Sequence, residues 1–320
     1  MLPVVDLRSP AAAAAAAIDD ACRRLGFFYV VGHGVDPGLV ARLDGAARAF
    51  FARDEAGKAA IAMARGGRAW RGWFPLGGEL TSGVPDGKEG LYFGAELGPD
   101  HPRVAAGTPL HGPNLFPAEP AGLRAAVLEW LDVMTALGHR LAGLLARGLG
   151  LDAGWFAANL TADPTILFRI FRYPPVPPSA PGWGVAEHTD YGLLTILHQD
   201  GAGGLEIRRA SSWVEAPPVP GSFVVNLGDM LDRMTGGRYR STPHRVRNTS
   251  GHDRVSMAFF FDPSWDAEVV PLPGGSRPAP DDAASRWDGA SVAAWQGTYG
   301  EYLLAKVAKV FPDLAAGTGA

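Results

Sequence analysis

The sequence contains very little cysteine, since Cys22 is the only one among 320 residues. A disulfide framework and a thiolate zinc site each need several cysteines, so this chain can build neither. We expect the lone thiol to act as a small buried hydrophobe. The scarcity is typical of a reducing compartment, and we predict a cytoplasmic protein.

Charge is also scarce and nearly balanced. Charged residues make up 19% of the chain and the formal net charge is -4, which leaves no broad basic surface for nucleic acid. No uncharged stretch reaches the roughly 18 residues that span a membrane, and the opening residues, MLPVVDLRSP, lack the basic and apolar regions of a secretory signal. We therefore expect neither nucleic acid nor a membrane as a partner, and the sequence leaves the oligomeric state open.

Hydrophobic residues are plentiful, at 47% of the chain, and a chain of this length can form one large core. The sequence shows no internal repeat. No linker separates its helical first half from its β-rich second half. We predict a single α+β unit whose core is mainly β. Its parts are a helix-rich region at 1–160, the β core at 161–285 and a C-terminal helix at 286–320.

Hydrophobic periodicity predicts most elements of the first half. A helix starts in the alanine run at 11–17 and continues through IDDACRRL, and Phe27–Val31 is a β-rich run. Pro37 begins a second helix that reaches about Phe51. The longest helix is predicted from about Ala121 to Leu149, where apolar residues recur at helical spacing.

The second half changes to short β-rich runs separated by Gly, Pro and Ser. Such a series is typical of a β-sandwich or jelly-roll. A last helix is predicted from about Ser291 to Phe311, packed on the outside of the β core. The β-rich runs are TILFRIFRY (165–173), LLTILHQ (193–199), GLEIRR (204–209), SFVVNL (222–227) and RVSMAFFF (254–261).

Two side chains of metal-binding type stand close together in His188-Thr189-Asp190. In an extended backbone they point to the same side, because side chains in a strand alternate between faces. Alone, the pair is a weak signal, because such a pair also arises by chance or serves as a surface hydrogen bond. His244 can add a second imidazole, and two imidazoles with one carboxylate form the open facial site of non-haem Fe(II) oxygenases. Arg254 is then expected to place a positively charged side chain beside the metal.

An aromatic, glycine-rich segment at 65–97 has no clean helical or strand period. It either covers the mouth of a pocket or packs between a helical layer and a sheet. We select candidate substrate contacts from this segment and from the first β-rich run after it. These candidates are Arg71, Trp73, Phe93, Arg169 and Phe171.

Several short motifs together resemble the isopenicillin N synthase-like family of Fe(II)/2-oxoglutarate-dependent oxygenases. The resemblance covers nearly the whole chain, since DLRSP and GFFYVVGHGV near the start also resemble the family's N-terminal region. It implies a double-stranded β-helix (jelly-roll) core with Fe(II) near one open end. The motifs are RYPP (172–175), HTD (188–190), NLGD (226–229), TPHRV (242–246) and RVS (254–256).

The resemblance also implies a role for each site residue. His188, Asp190 and His244 are the implied metal ligands, which are also the implied catalytic residues, and they leave coordination positions for 2-oxoglutarate and O2. Arg254 and Ser256 have the same strand parity, so both can reach the distal carboxylate of 2-oxoglutarate, which the planar fork of arginine suits.

Tyr173 is the implied third contact to 2-oxoglutarate. By strand alternation, Phe171 and Arg169 face the same way as Tyr173. Some relatives carry an asparagine where this chain has Phe171, so the resemblance leaves one hydrogen bond to the cosubstrate without a matching residue.

The implied activity is oxidation of a small organic substrate, and we favour hydroxylation, with decarboxylation of 2-oxoglutarate to succinate and CO2. Desaturation and ring closure remain open. So do two other functions: an Fe(II) oxidase of the same fold that uses no 2-oxoglutarate, as isopenicillin N synthase does, and a non-catalytic jelly-roll that binds a small ligand. The sequence surrounds the site with aromatics and arginines but does not identify the substrate.

Overall fold

The computed structural model describes residues 2–81, 83–177, 179, 182–273 and 291–311. Its α-helices are α1 (Ala11–Arg24), α2 (Pro37–Phe51), α3 (Glu55–Ala59), α4 (Pro102–Ala105), α5 (Leu123–Gly148), α6 (Trp155–Asn159), α7 (Asp229–Met234) and α8 (Tyr299–Val310). A 3-10 helix covers Met63–Ala69. Among these described helices, none combines the length and apolar character that a membrane crossing requires.

The described strands are β1 (Val4–Asp6), β2 (Phe27–Val31), β3 (Gly72–Phe74), β4 (Leu80–Thr81), β5 (Val84–Pro85), β6 (Glu89–Gly94), β7 (Pro164–Tyr173), β8 (Val185–His188), β9 (Leu194–Gln199), β10 (Leu205–Arg209), β11 (Ser212–Glu215), β12 (Phe223–Leu227), β13 (His244–Val246) and β14 (Arg254–Ser264). The two longest strands, β7 and β14, lie in the second half of the chain.

An eight-stranded sheet is the main scaffold, in the order β1-β2-β12-β9-β14-β7-β6-β3. Its longest pair, β7 and β14, is antiparallel and runs from Tyr173 opposite Arg254 to Pro164 opposite Ser264. Alternate residues of both strands face the interior. Because β1, β2, β3 and β6 come from the helix-rich first half, both halves of the chain build this one sheet.

A smaller sheet of four strands, in the order β11-β10-β13-β8, faces the large one. Residues of both sheets line a single large cavity between them. The result is the predicted jelly-roll core, with the helices packed against it. The hairpin of β4 and β5 stands apart from both sheets and lies at the edge of the cavity.

The helices α1, α2 and α5 form a layer on the outer face of the large sheet. The longest, α5, packs against β14, and a Cβ on Gly138 would lie only 2.4 Å from the ring of Phe261. Glycine is required there by close approach, and the helix continues through it because the rest of its inner face is apolar. Its observed bounds lie within two residues of the predicted ones.

The C-terminal helix α8 starts at Tyr299, later than the predicted start at Ser291. The side chain of Thr298 accepts a hydrogen bond from the amide of Glu301, and the Glu301 side chain bonds back to the amide of Thr298. This capping box fixes the first turn. The helix lies outside the two sheets, and its inner face adds Leu303 and Val310 to the cavity wall. Of the predicted region 286–320, residues 286–290 and 312–320 lie outside the described residues.

Candidate metal centre

Three side chains of metal-binding type meet at the wall of the cavity. The ligand atoms of His188, Asp190 and His244 all lie within 4.8 Å of one another. His188 ends β8 and His244 begins β13, and the two residues are direct neighbours across the ladder. The Oδ1 atom of Asp190 is 3.8 Å from Nε2 of His188 and 3.7 Å from Nε2 of His244. One cation can contact all three atoms.

Backbone carbonyls orient the two imidazoles. Nδ1 of His188 is 2.8 Å from the carbonyl oxygen of Ala186, and Nδ1 of His244 is 3.2 Å from that of Thr242. A carbonyl only accepts, so each Nδ1 carries the hydrogen and donates it. Each Nε2 then presents a lone pair to the space in front of Asp190, which is how metal-binding histidines are usually held.

The two oxygens of Asp190 have different surroundings. Oδ2 accepts hydrogen bonds from the hydroxyl of Thr195 and from Nδ2 of Asn226, the latter at 2.6 Å. Oδ1 faces the imidazoles. The carboxylate is therefore fixed through one oxygen and available to a cation through the other.

Burial and neighbouring groups together set the charge states of His188 and Asp190. Burial and the neighbouring His244 together lower the pKa of His188 to about 3, against the opposing effect of Asp190. Burial alone would raise the pKa of Asp190, but the two imidazoles and the bonds from Thr195 and Asn226 outweigh it and lower that pKa. At neutral pH His188 is neutral and Asp190 is ionised, which are the states that bind a divalent cation.

A buried arginine lies at one end of the cavity. The side chain of Arg254 is completely buried, its Nε donates to the carbonyl oxygen of Gly203 at 2.7 Å, and its Nη1 and Nη2 have no hydrogen-bond partner among the described residues. Its guanidinium lies 4.8 Å from the ring centroid of Tyr173. Ser256 and Tyr173 line the same cavity.

The unpaired nitrogens of Arg254 indicate an anionic ligand. A buried charge without hydrogen-bond partners is costly, and a carboxylate can accept from both Nη atoms at once. The distal carboxylate of 2-oxoglutarate fits this requirement, as does the facial set of two imidazoles and one carboxylate for its metal. The residues present therefore suit both Fe(II) and 2-oxoglutarate.

Two of the candidate substrate contacts, Arg169 and Phe171, line the same cavity. They precede Tyr173 on the same, inward face of β7, and Arg169 is paired with Ala258 of β14. The guanidinium of Arg169 lies 4.3 Å from the ring centroid of Tyr92 and forms a 3.6 Å ion pair with Glu79. That separation is longer than a hydrogen bond.

The other candidates do not belong to the described lining of this cavity. Arg71 and Phe93 line a smaller neighbouring cavity. Arg71 donates to the carbonyl oxygen of Leu110 at 2.7 Å, and burial lowers its pKa to about 10. Trp73 is buried in the core and donates to Glu89 at 2.9 Å. Substrate contact by any of the five candidates remains a prediction.

Sequence reasoning missed several polar residues of the cavity wall, among them Glu79, Lys88, Thr195, Asp262 and Tyr299. Glu79 and Lys88 form a buried 2.8 Å ion pair at the β4–β5 hairpin, and the aperiodic segment gave no signal for them. Asp262 shares the strand parity of Arg254 and Ser256, so alternation along β14 could have found it. Burial raises the pKa of Asp262 to about 7. Tyr299 reaches the cavity from α8, which no local pattern indicates.

Two family models and a relative of similar length match this chain. Residues 164–263 match the model of the 2OG-Fe(II) oxygenase superfamily, and residues 2–119 match the model of the N-terminal region of the non-haem dioxygenase in morphine synthesis. A "probable iron/ascorbate oxidoreductase" of Dictyostelium discoideum is 48% identical, over 93% of this chain and 88% of its own length.

A homoarginine-6-hydroxylase of Glycine max is 35% identical, over 93% of this chain and 89% of its own length. Among solved structures, the dioxygenase for auxin oxidation in rice superposes with a TM-score of 0.73 at 30% identity, over 99% of each chain. These similarities extend over both the helix-rich half and the β core.

Proposed function

The chain belongs to the 2OG-Fe(II) oxygenase superfamily, and on that premise we propose that it hydroxylates a small organic substrate that carries a carboxylate. It is a non-haem Fe(II)/2-oxoglutarate-dependent oxidoreductase. In this family, bound Fe(II) and 2-oxoglutarate let O2 oxidise a substrate while 2-oxoglutarate is converted to succinate and CO2. The proposal concerns the residues that carry this activity and the class of substrate.

His188, Asp190 and His244 hold Fe(II) in this proposal. Support comes from the convergence of their ligand atoms within 4.8 Å and from carbonyl partners that aim each Nε2 inward. Three protein ligands would leave coordination positions for 2-oxoglutarate and O2.

Arg254, Ser256 and Tyr173 bind the distal carboxylate of 2-oxoglutarate. The observation that supports this assignment is the buried Arg254 guanidinium, whose Nη1 and Nη2 lack partners among the described residues. A carboxylate supplies acceptors for both. Ser256 and Tyr173 line the cavity beside it and can add hydroxyl donors.

Arg169 carries the substrate proposal. It is nearly buried in the cavity wall, with 13% of its side chain exposed, and its contact with Glu79 is too long for a hydrogen bond. A substrate carboxylate supplies the closer acceptors that this guanidinium lacks among the described residues. One relative is named for homoarginine, an amino acid, so a carboxylate-bearing substrate also agrees with the family.

We further propose that residues 1–320 act as a single unit in the cytoplasm on a small molecule. Strands from both halves in one sheet support the single unit, and the lone buried cysteine agrees with a reducing compartment.

A screen for succinate release tests the proposal. Wild-type protein with Fe(II), ascorbate and 2-oxoglutarate is offered amino acids and other small carboxylic acids, each paired with its neutral amide or ester. We expect succinate release to be stimulated by acids and much less by their neutral counterparts. Best stimulation by the neutral members would contradict the substrate class, and substrate turnover without 2-oxoglutarate would contradict the reaction.

Arg169→Met tests the role of the arginine, and Arg172→Met is its matched control. Arg172 lies on the opposite face of the same strand, where it pairs with Asp253 and Glu89. Loss of charged hydrogen bonds should raise KM for the acid by about 10- to 100-fold in Arg169→Met, while Arg172→Met keeps the wild-type KM. Equal KM values in both variants would remove Arg169 from the substrate site.

A further inference from the structure

We propose that Tyr299 and Tyr302 of α8 are positioning residues for the metal site, acting through the buried carboxylates of Asp262 and Asp229. Their target is residues 189–193, here called the metal-bearing turn because Asp190 lies in it. The inference rests on the proposed function, since it takes Asp190 as a metal ligand.

Backbone amides at the start of α7 donate hydrogen bonds to the backbone carbonyls of the metal-bearing turn. The carbonyl oxygens of residues 190–193 accept hydrogen bonds from the amides of residues 228–230, at 2.8–3.2 Å. The shortest runs from the amide of Asp229 to the carbonyl of Asp190 itself. These amides are among those that a helix start leaves without intrahelical partners.

The turn and its surroundings approach so closely that side chains would not fit. A Cβ on Gly228 would lie 2.3 Å from the carbonyl oxygen of Gly192, and a Cβ on Gly192 would lie 1.6 Å from Oδ1 of Asp262. A small shift of α7 or of Asp262 is therefore transmitted directly to the turn.

Two buried aspartates hold the ends of the metal-bearing turn. Oδ2 of Asp229 accepts from the hydroxyl of Thr189 at 3.3 Å, and Oδ1 of Asp262 accepts from the amide of Leu193 at 3.0 Å. One contact precedes Asp190 and the other follows it, so the two carboxylates together bracket the ligand.

Each of these aspartates is bonded in turn by one tyrosine of α8. The hydroxyl of Tyr299 donates to Oδ2 of Asp262 at 2.6 Å, and the hydroxyl of Tyr302 donates to Oδ2 of Asp229 at 3.2 Å. All four side chains are at most 3% exposed. Burial raises the pKa of Tyr299 well above its ordinary value, so its hydroxyl remains protonated and able to donate.

The helix is itself firmly placed, which a positioning role requires. Its first turn is fixed by the Thr298 capping box, and the amides of Tyr299 and Gly300 donate to the carbonyls of Ala267 and Trp265. A Cβ on Gly300 would lie 2.4 Å from the ring of Trp265. These contacts fix α8 against the loop that follows β14, so its tyrosines present fixed donors.

Co(II) binding without 2-oxoglutarate or substrate tests the inference independently of turnover. The full-length wild type, Tyr299→Phe and Tyr302→Phe are titrated with Co(II), and the visible d–d spectrum reports the geometry of the ligands. We expect each variant to bind Co(II) about 10-fold more weakly, at the lower end of the loss caused by removing outer partners of metal ligands. The spectrum should also change.

Tyr239→Phe is the matched control, because Tyr239 is a buried tyrosine that donates to Asp19 at 2.7 Å, away from the metal-bearing turn. It should lose stability but keep the wild-type Co(II) affinity and spectrum. Asp262→Asn keeps an oxygen for the amide of Leu193 and a partner for Tyr299, so it should bind Co(II) better than Asp262→Ala does.

The inference is overturned if Tyr299→Phe and Tyr302→Phe bind Co(II) with wild-type affinity and spectrum and differ only in stability, as the control does. Wild-type protein that binds no Co(II) would instead overturn the proposed metal site on which the inference rests. The two failures are therefore distinguishable.

Discussion

At the scale of single residues, the two carboxylate oxygens of Asp190 make different contacts. Oδ2 is held by Thr195 and Asn226, and Oδ1 faces the two imidazoles, where we propose that the cation binds. A carboxylate that is already fixed loses little rotational freedom on binding a metal.

Removal of one of these partners should weaken metal binding. We expect Thr195→Val to lower Co(II) or Fe(II) affinity by about 10-fold or more, because Oδ2 loses a donor in a dry site. Thr161→Val is the control: the buried Thr161 hydroxyl has no hydrogen-bond partner within the described part of the chain. Metal titration of both variants checks this, and equal affinities would refute the role given to Thr195.

Arg254 supports a second prediction at this scale. Arg254→Ala should raise KM for 2-oxoglutarate by at least about 30-fold, which corresponds to about 2 kcal/mol, since a buried charge pair would lose one partner. Arg208→Ala, on the outer face of the small sheet beside Glu187, should leave it unchanged. A steady-state titration of 2-oxoglutarate decides, and an unchanged KM in Arg254→Ala would show the residue to be misassigned.

Short sequence motifs predict some of the site residues but not others. His188, Asp190, His244, Arg254 and Ser256 stand in short motifs, and strand alternation alone puts 254 and 256 on one face. The structure brings all five to one cavity. Glu79 and Lys88 could not be found in this way, because their place in the wall depends on how an aperiodic segment folds back over the sheets.

At the scale of elements, two strands that carry site residues are among the shortest. β8 and β13 have four and three residues, too few for a periodic signal, and we did not predict them as strands. Their pairing nevertheless sets His188 opposite His244. The long runs of β7, β9, β12 and β14 were predicted to within a few residues because they are continuously apolar and β-branched or aromatic.

A side chain at Gly192 should displace the metal-bearing turn. Gly192→Ala would put a Cβ 1.6 Å from Oδ1 of Asp262, so the turn must move. We expect a loss of about 1–3 kcal/mol in the free energy of unfolding, together with loss of metal binding. Gly201→Ala, which has nothing within 4 Å of its added Cβ, is the control. Urea denaturation and metal titration test both, and a Gly192→Ala protein with wild-type metal affinity would contradict the account.

At the contact between β14 and α8, the buried carboxyl of Asp262 should make the free energy of unfolding depend on pH. Burial raises the pKa of Asp262 to about 7, from an ordinary value of 3.8. Between about pH 4 and 7 the folded protein therefore binds more protons than the unfolded chain, so the contribution of this group to the free energy of unfolding falls as pH rises.

Asp262→Asn removes this titration. In metal-free protein, its stability relative to the wild type should improve between pH 4 and pH 8, by on the order of 3 kcal/mol. Urea denaturation at both pH values measures the difference. A difference that does not change with pH would mean that Asp262 titrates normally in the fold.

At the scale of the whole molecule, the site depends on residues far apart in the chain. The large sheet takes strands from both halves, and α8 closes the cavity from the C-terminal region. Composition and periodicity predicted the two halves and their order. They could not predict that α8 reaches the cavity, because that contact depends on packing of α8 against β14 and on the Tyr299–Asp262 bond.

In the proposed site, His188, Asp190 and His244 hold Fe(II) while Arg254 holds 2-oxoglutarate in the same cavity. The most direct test is an anaerobic titration of the folded protein with Fe(II) and 2-oxoglutarate, read by visible absorption. We expect the weak charge-transfer band of a bidentate keto acid complex in the wild type and its loss in His244→Ala. The control, His198→Ala, should keep the band, because His198 lies on β9 opposite Met257 and is not among the described residues of the cavity wall. A folded wild-type protein that gives no band, or a band that persists in His244→Ala, would contradict the proposed site.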